Sequence, residues 1–247
     1  MKEGITTAVI LAAGLGSRLK DRTKEKPKAF LEIDGKTLIQ RSIDNLISHG
    51  VTKIIIGTGY LHEFFDDLKK QYPMIETYRN DDFAETGSMY TLYNLRHSIN
   101  SDFLLLEGDL LYEKNALHSL ITDNAKDIIL ASGQTGSNDE VYIEADTHWN
   151  LVNMSKIVAE LSEISGELVG ISKISLPTFK KMCRYASDRY ADGDRGMHYE
   201  DDFVGISTQT NIHIKKIEDL AWCEIDDENH LNRAINLVYP KIQMRDK

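Results

Sequence analysis

The sequence predicts an α/β protein built on a doubly wound, mostly parallel sheet. Three observations carry this expectation. Short aliphatic runs recur at residues 7–11, 53–57, 102–106 and 127–131, each of strand length and apolar at successive positions, as a strand covered on both faces requires. Segments with helical spacing of apolar residues lie between them, and this alternation implies right-handed parallel crossovers. After Ser132 the pattern changes to two alternating stretches, 140–145 and 151–155, which read as an antiparallel hairpin inserted into the α/β plan.

The first strand, 7–11, runs into Leu11-Ala12-Ala13-Gly14-Leu15-Gly16-Ser17-Arg18-Leu19, and Lys26-Pro27-Lys28 follows. Small residues let a backbone approach a ligand and present successive N–H groups to phosphate oxygens. Arg18 adds a planar fork of donors and Lys28 a mobile point charge. Together these imply a polyphosphate ligand, most simply a nucleoside triphosphate. Leu19 stands where a dinucleotide fingerprint needs a third small residue, and no Gly-Lys-Ser/Thr closes a P-loop.

A short strand is expected over 29–33, then a turn at Asp34-Gly35. Thr37 with Gln40 forms a capping box, Leu38, Ile39, Ile43, Leu46 and Ile47 mark one helical face, and Gly50 ends the helix. Strand 53–57 delivers Thr58-Gly59-Tyr60 to the carboxyl edge of the sheet, where open parallel sheets form their ligand crevice. A helix over 61–71, a strand over 75–78 and a loop through Thr86-Gly87-Ser88 follow, the loop opening a helix that runs to about 97. Ser88 also suits a helix cap.

Strand 102–106 ends in Glu107-Gly108-Asp109. An unpaired carboxylate in the crevice would be costly, so a metal ion is its natural partner, and Mg²⁺ prefers oxygen ligands and bridges to phosphates. Asp109 is the principal candidate and Glu107 a lesser one. A helix over 114–122, the strand 127–131 and the polar loop 133–138 precede the hairpin, and Lys156 closes it. Strand 167–174 contains Gly170, a place for close backbone approach. Pro177 opens a helix, and 189–197 reads as a polar loop. The run His198-Tyr199-Glu200-Asp201-Asp202 suits either an acidic helix start or an amine receptor. A last strand, 221–225, leads to Asp226-Asp227 and a helix over 229–239, with Pro240 as its stop.

The 247 residues are 41% hydrophobic with net charge −10, enough for a sizeable core in one domain spanning 1–247. The acidic balance argues against a general nucleic-acid binder. Cys183 and Cys223 have no metal-ligand spacing, so a reducing, cytoplasmic setting is expected. No signal peptide or membrane span is expected.

The motif L-A-A-G-x-G-S-R-L followed by P-K resembles the nucleotidyltransferases that join nucleoside triphosphates to phosphorylated sugars or alcohols. With G-T-G-Y at 57–60, T-G-S-M-Y at 86–90, E-I-D-D at 224–227 and the hairpin, the whole chain resembles the small cytidylyltransferases of amino-alcohol phosphates and phosphonates, most of all those acting on 2-aminoethylphosphonate. The resemblance implies a Rossmann-like nucleotidyltransferase fold, with residues 1–131 as the nucleotide half and 132–247 as the acceptor half. It implies that Leu11, Ala12, Ala13, Gly14, Leu15, Gly16 and Ser17, with Thr58 and Gly59, bind the nucleotide and that Thr86, Gly87 and Ser88 read its base. It further implies that Arg18 and Lys28 are catalytic, that Asp109 and Asp226 hold Mg²⁺, with Asp227 as helix cap or the two roles exchanged, and that Lys156 meets the acceptor phosphate.

The acceptor amine then falls to Asp139 and Glu140 or to Glu200 and Asp201. The acid-rich segment 137–142 favours a primary amine, because a trimethylammonium group favours an aromatic cage. The expected reaction is transfer of CMP from CTP to 2-aminoethylphosphonate. Phosphocholine, a sugar 1-phosphate and a non-catalytic nucleotide-binding role are the alternatives, and the oligomeric state is open.

Overall fold

Successive residues of the first strand bury on opposite sides, so both faces of the sheet must be covered. The computed structural model describes residues 4–137 and 139–247; Asn138, in the expected polar loop, lies outside them. In β1 (Thr7–Ala12), Ala8 and Ile10 join one core cluster while Val9 and Leu11 join another on the opposite face.

The elements follow in order. After β1 come the short pair β2 (Glu32–Ile33) and β3 (Lys36–Thr37), then α1 (Leu38–Ser48), β4 (Lys53–Thr58), α2 (Glu63–Leu68), β5 (Ile75–Arg79) and α3 (Ser88–Asn94). The middle of the chain forms β6 (Phe103–Glu107), β7 (Leu110–Tyr112), α4 (Asn115–Thr122), β8 (Ile128–Ser132), β9 (Tyr142–Ala145), β10 (Leu151–Ser155) and β11 (Gly166–Ile174). The last part forms α5 (Leu176–Ala191), α6 (Tyr199–Ser207), β12 (His213–Ile217), β13 (Trp222–Glu224), α7 (Glu228–Arg233) and α8 (Tyr239–Arg245).

The main sheet runs β10-β9-β11-β6-β1-β4-β5, with β8 and β12 branching from β11. β5, β4, β1 and β6 are mutually parallel, as are β8 and β12; β11 runs antiparallel to β6, β8 and β9. This is the predicted doubly wound, mostly parallel sheet with an antiparallel hairpin, β9–β10. β11 shifts register against β8 between Leu168 and Ser172, and Gly170 takes a left-handed φ of 77° there. Separately, β13 pairs antiparallel with β7, setting Glu224 opposite Leu110. A third apolar cluster joins Leu19, Leu31 and Leu38 to Cys223, Ile225 and the C-terminal helices.

Several boundaries differ from expectation, each for a local reason. The predicted strand 29–33 is a single 3₁₀ turn, Lys28–Phe30, before the two residues of β2; the ring of Phe30 turns onto Phe64 and Phe65. The Thr37–Gln40 capping box forms as expected. Helix α2 is shorter than 61–71, since Leu61 sits at φ 48° and short turns flank the regular stretch. Helix α3 ends at Asn94, and α5 extends into the expected loop as far as Ala191. The edge strand β12 was not anticipated. Pro240 does not stop the final helix: a π-turn over Ala234–Val238 precedes it, and the proline sits in the first turn of α8, where no N–H is required.

Candidate active site

The carboxyl ends of β1 and β6 open into a cleft of about 450 Å³. The loop after β1 is held at its rims: Gly108 N–H donates to the Leu11 carbonyl (2.9 Å) and Tyr60 N–H to the Ala13 carbonyl (3.2 Å). Gly16 takes φ 62°, and the Thr23 hydroxyl donates to its carbonyl at 2.9 Å. The segment Ser17–Arg22 is therefore a broken 3₁₀ stretch, kinked at Lys20, that swings Arg18 over the cleft.

Two cations meet two aspartates here. Lys28 Nζ pairs with both Asp109 and Asp226. Arg18 pairs with Asp226 at 2.6 Å and also with Asp139. Burial opposes the charge on Lys28, yet Asp109 and Asp226 outweigh it and raise its pKa above the ordinary lysine value. Burial likewise opposes charge on Asp226, but Lys28 and Arg18 hold its pKa below the carboxylate norm. Asp227 instead caps α7, accepting from His230 N–H at 2.9 Å, so of the two neighbouring aspartates Asp226 faces the cleft.

A second carboxylate group shares Asp109. Oxygens of Glu107, Asp109 and Glu224 come within 4.8 Å of one another. Asp109 Oδ1 is buried without a hydrogen-bond partner. An all-oxygen donor set with an orphaned carboxylate oxygen fits a hard divalent cation such as Mg²⁺. Burial, then Glu200 and Asp109, raise the pKa of Glu107; burial, then Glu107, raises that of Glu224.

The remaining expected residues divide by position. Leu11, Ala13, Gly14, Thr86, Gly87, Ser88, Glu140, Lys156 and Glu200 line the cleft. Ala12 and Gly16 line a small adjoining hollow with Lys28 and Asp109. Leu15 is exposed, and Ser17 begins the 3₁₀ stretch. Asp139 bridges Arg18 and Lys156 (3.5 Å) and is thus engaged by cations of the protein itself. Burial pushes the Glu140 carboxyl up to about 7, while the Ser137 hydroxyl donates to it at 2.9 Å.

Three further residues are not brought to the cleft. Thr58 is buried, its hydroxyl bonded to the Tyr78 carbonyl, because it lies within β4 rather than beyond its end. Gly59 packs under the loop, where an added Cβ would meet the Ala13 carbonyl and Phe83 at 2.6 Å. Asp201 accepts from His198 N–H at 2.8 Å and closes the start of α6.

Sequence reasoning missed other contributors. Asn80, 2% exposed, donates to both Thr86 and Thr91 and so fixes the Thr86 loop. His198 Nδ1 lies 3.2 Å from the Ser88 hydroxyl, which accepts from Tyr199 N–H. Gly87, not Ser88, is the N-cap residue of α3. The partners of Ser88, His198 and Tyr199, come from the distant start of α6, and no local pattern marks the contact.

The comparisons with known proteins agree with this architecture. Residues 8–197 match the family model described as the MobA-like NTP transferase domain. The choline-phosphate cytidylyltransferase of Streptococcus pneumoniae is 29% identical over 89% of this chain and 92% of its own length. The 2-aminoethylphosphonate cytidylyltransferase of Lancefieldella rimae is 25% identical over 90% and 88%. A solved CTP:phosphocholine cytidylyltransferase from S. pneumoniae superposes with a TM-score of 0.82 at 23% identity, covering 95% of this chain and 99% of that one. With the family model matched over most of its length, the chain belongs to the MobA-like NTP transferase domain family and is a nucleotidyltransferase.

Proposed function

We propose that the protein transfers CMP from CTP to 2-aminoethylphosphonate. The observation that carries this reading is the convergence of Arg18, Lys28, Asp109 and Asp226 beside a carboxylate-rich end of the same cleft. Cytidylyl transfer is supported by relatives that match nearly the whole chain.

In this reading a phosphonate oxygen attacks the α-phosphorus of CTP, a new P–O–P bond forms, and pyrophosphate leaves with the electrons of the broken bond. The acceptor is already anionic, so positioning and charge neutralisation suffice without a strong general base. Asp109 and Asp226, with Glu224 nearby, would hold Mg²⁺. When bound, that ion supplies Lewis-acid neutralisation of phosphate charge. Lys28 exchanges its carboxylate partners for phosphate oxygens, Arg18 faces the departing pyrophosphate, and Lys156 meets the acceptor phosphonate.

Phosphocholine is the second reading, and the higher identity to the choline-phosphate enzyme favours it. The lining of the cleft favours a primary amine instead. Six carboxylates line it, and among the described lining residues Phe83 is the one Phe, Tyr or Trp. Pyrophosphate release should be measured with Mg²⁺, crossing four nucleoside triphosphates with 2-aminoethylphosphonate, phosphocholine and glucose 1-phosphate. Release confined to CTP with 2-aminoethylphosphonate supports the proposal, and release confined to CTP with phosphocholine replaces the acceptor.

A further inference from the structure

Glu200 presents a polar atom that the protein itself does not satisfy. Its Oε2 is shut off from solvent and has no hydrogen-bond partner, although the residue lines the cleft. Glu107 stands close enough for the two carboxyls to repel. Like Glu140 and Glu224, neither makes an ion pair with a cation among the described residues, whereas Asp109 and Asp226 are both paired with Lys28. Two neighbouring carboxyls without an ion-pair partner in contact are costly in a buried place unless a ligand supplies one.

The surroundings are arranged around this pair. Tyr199, 1% exposed, donates its hydroxyl to Glu107 Oε1 at 2.6 Å and fixes that carboxyl's rotation. Glu107 Oε2 faces Gly170, where an added Cβ would lie 2.5 Å from it, in the left-handed conformation that the β11 bulge imposes. Glycine at 170 therefore keeps the carboxyl in the cleft. A primary ammonium has three donors, which suits two carboxyls at close quarters; a trimethylammonium group has none.

We propose that Glu200 and Glu107, with Tyr199 and Gly170 holding Glu107 in place, receive the primary ammonium group of the acceptor and select acceptors that carry one. This rests on the cytidylyl-transfer reading above and goes beyond it by moving the amine away from Asp139 and Asp201. Asp139 is occupied by Arg18 and Lys156, and Asp201 by the start of its own helix.

The test compares 2-aminoethylphosphonate with ethylphosphonate, which lacks the amine, for the wild type, Glu200→Gln and Gly170→Ala. The readout is the ratio of kcat/KM for the two acceptors within one preparation, so a loss of folded protein does not mimic the effect. The expected result is a wild-type preference for the amine that falls about tenfold or more in Glu200→Gln, with a smaller fall in Gly170→Ala. If both acceptors lose activity in parallel and the ratio stays fixed, the assignment of the amine is overturned while the cytidylyl-transfer reading stands. If the wild type turns over neither acceptor, or accepts phosphocholine in place of the primary amine, the reading falls and the assignment with it.

Discussion

Lys28 is already bound on both sides by the two aspartates that the proposed chemistry needs free. Replacing it with methionine leaves Asp109 and Asp226 facing each other without their shared cation. The expected outcome is a fall in kcat of about 100-fold or more with a smaller change in the KM for CTP, because the phosphate contact tightens as charge shifts in the transition state. Steady-state kinetics with saturating CTP measures it. In the same variant Mn²⁺ should bind more tightly in the absence of nucleotide, by about tenfold, since an ammonium no longer competes for the carboxylates; electron paramagnetic resonance reads this without turnover.

Asp202 makes the opposite case, a fully buried carboxyl with no hydrogen-bond partner. It is 0% exposed, both its oxygens lack hydrogen bonds, and burial pushes its pKa up to about 8. The folded-state value is raised above the unfolded one, so the folded chain binds the extra proton. Stability is unpenalised below the unfolded pKa and declines as pH climbs from about 4 to about 8. Asp202→Asn should therefore melt with the wild type near pH 4 and several degrees above it near pH 8, as measured by calorimetry at the two pH values.

At the scale of elements, the start of α3 and the segment 192–198 depend on each other. Gly87 N–H donates to the Arg195 carbonyl at 2.9 Å, and an added Cβ at Gly87 would lie 2.1 Å from the Met197 carbonyl and 2.4 Å from that of Gly196. Gly87→Ala must push that segment away and separate His198 from Ser88. The expected result is a KM for CTP raised about tenfold with kcat less affected, since the base side of the cleft loosens while the phosphate side is untouched. An unchanged KM would place nucleotide recognition elsewhere.

The central strands β1, β4, β6 and β8 were legible because burial on both faces leaves a run of aliphatic residues, and the hairpin β9–β10 because its residues alternate. β12 was not, because Lys216 breaks the polar–apolar alternation of His213, Ile214 and Lys215, and a periodicity argument reads so short a stretch as loop. The continuation through Pro240 was hidden for a different reason: a π-turn is set by packing of the C-terminal helices on the third core cluster, not by local propensity. In the cleft, Gly14, Arg18, Lys28 and Asp109 could be picked out from residue type in and after strand ends, while Asp226 was marked by the family resemblance. His198 acts through a partner, Ser88, that only the folded chain brings near.

For the whole molecule, the cleft is assembled from both ends of the chain. Asp109 follows β6 near the middle of the sequence, and Asp226 arrives from the far end, just beyond β13. The β7–β13 pairing and the bond from Ile225 N–H to the Asp109 carbonyl, 3.2 Å, tie the two segments together. If Mg²⁺ and CTP bind across that seam, they stabilise the fold by mass action: about 2.7 kcal/mol at a hundredfold excess over Kd, or roughly 5–10 °C in melting temperature for a chain of this size. Mg²⁺ without nucleotide should give little of this, because Lys28 already neutralises both aspartates. Asp109→Asn and Asp226→Asn should each remove most of the joint shift, and the double variant should remove no more, because two ligands of one ion do not contribute independently. Thermal melts of the four proteins with Mg²⁺, CTP and both decide this, and additive losses in the double variant would mean that the two aspartates serve separate ligands.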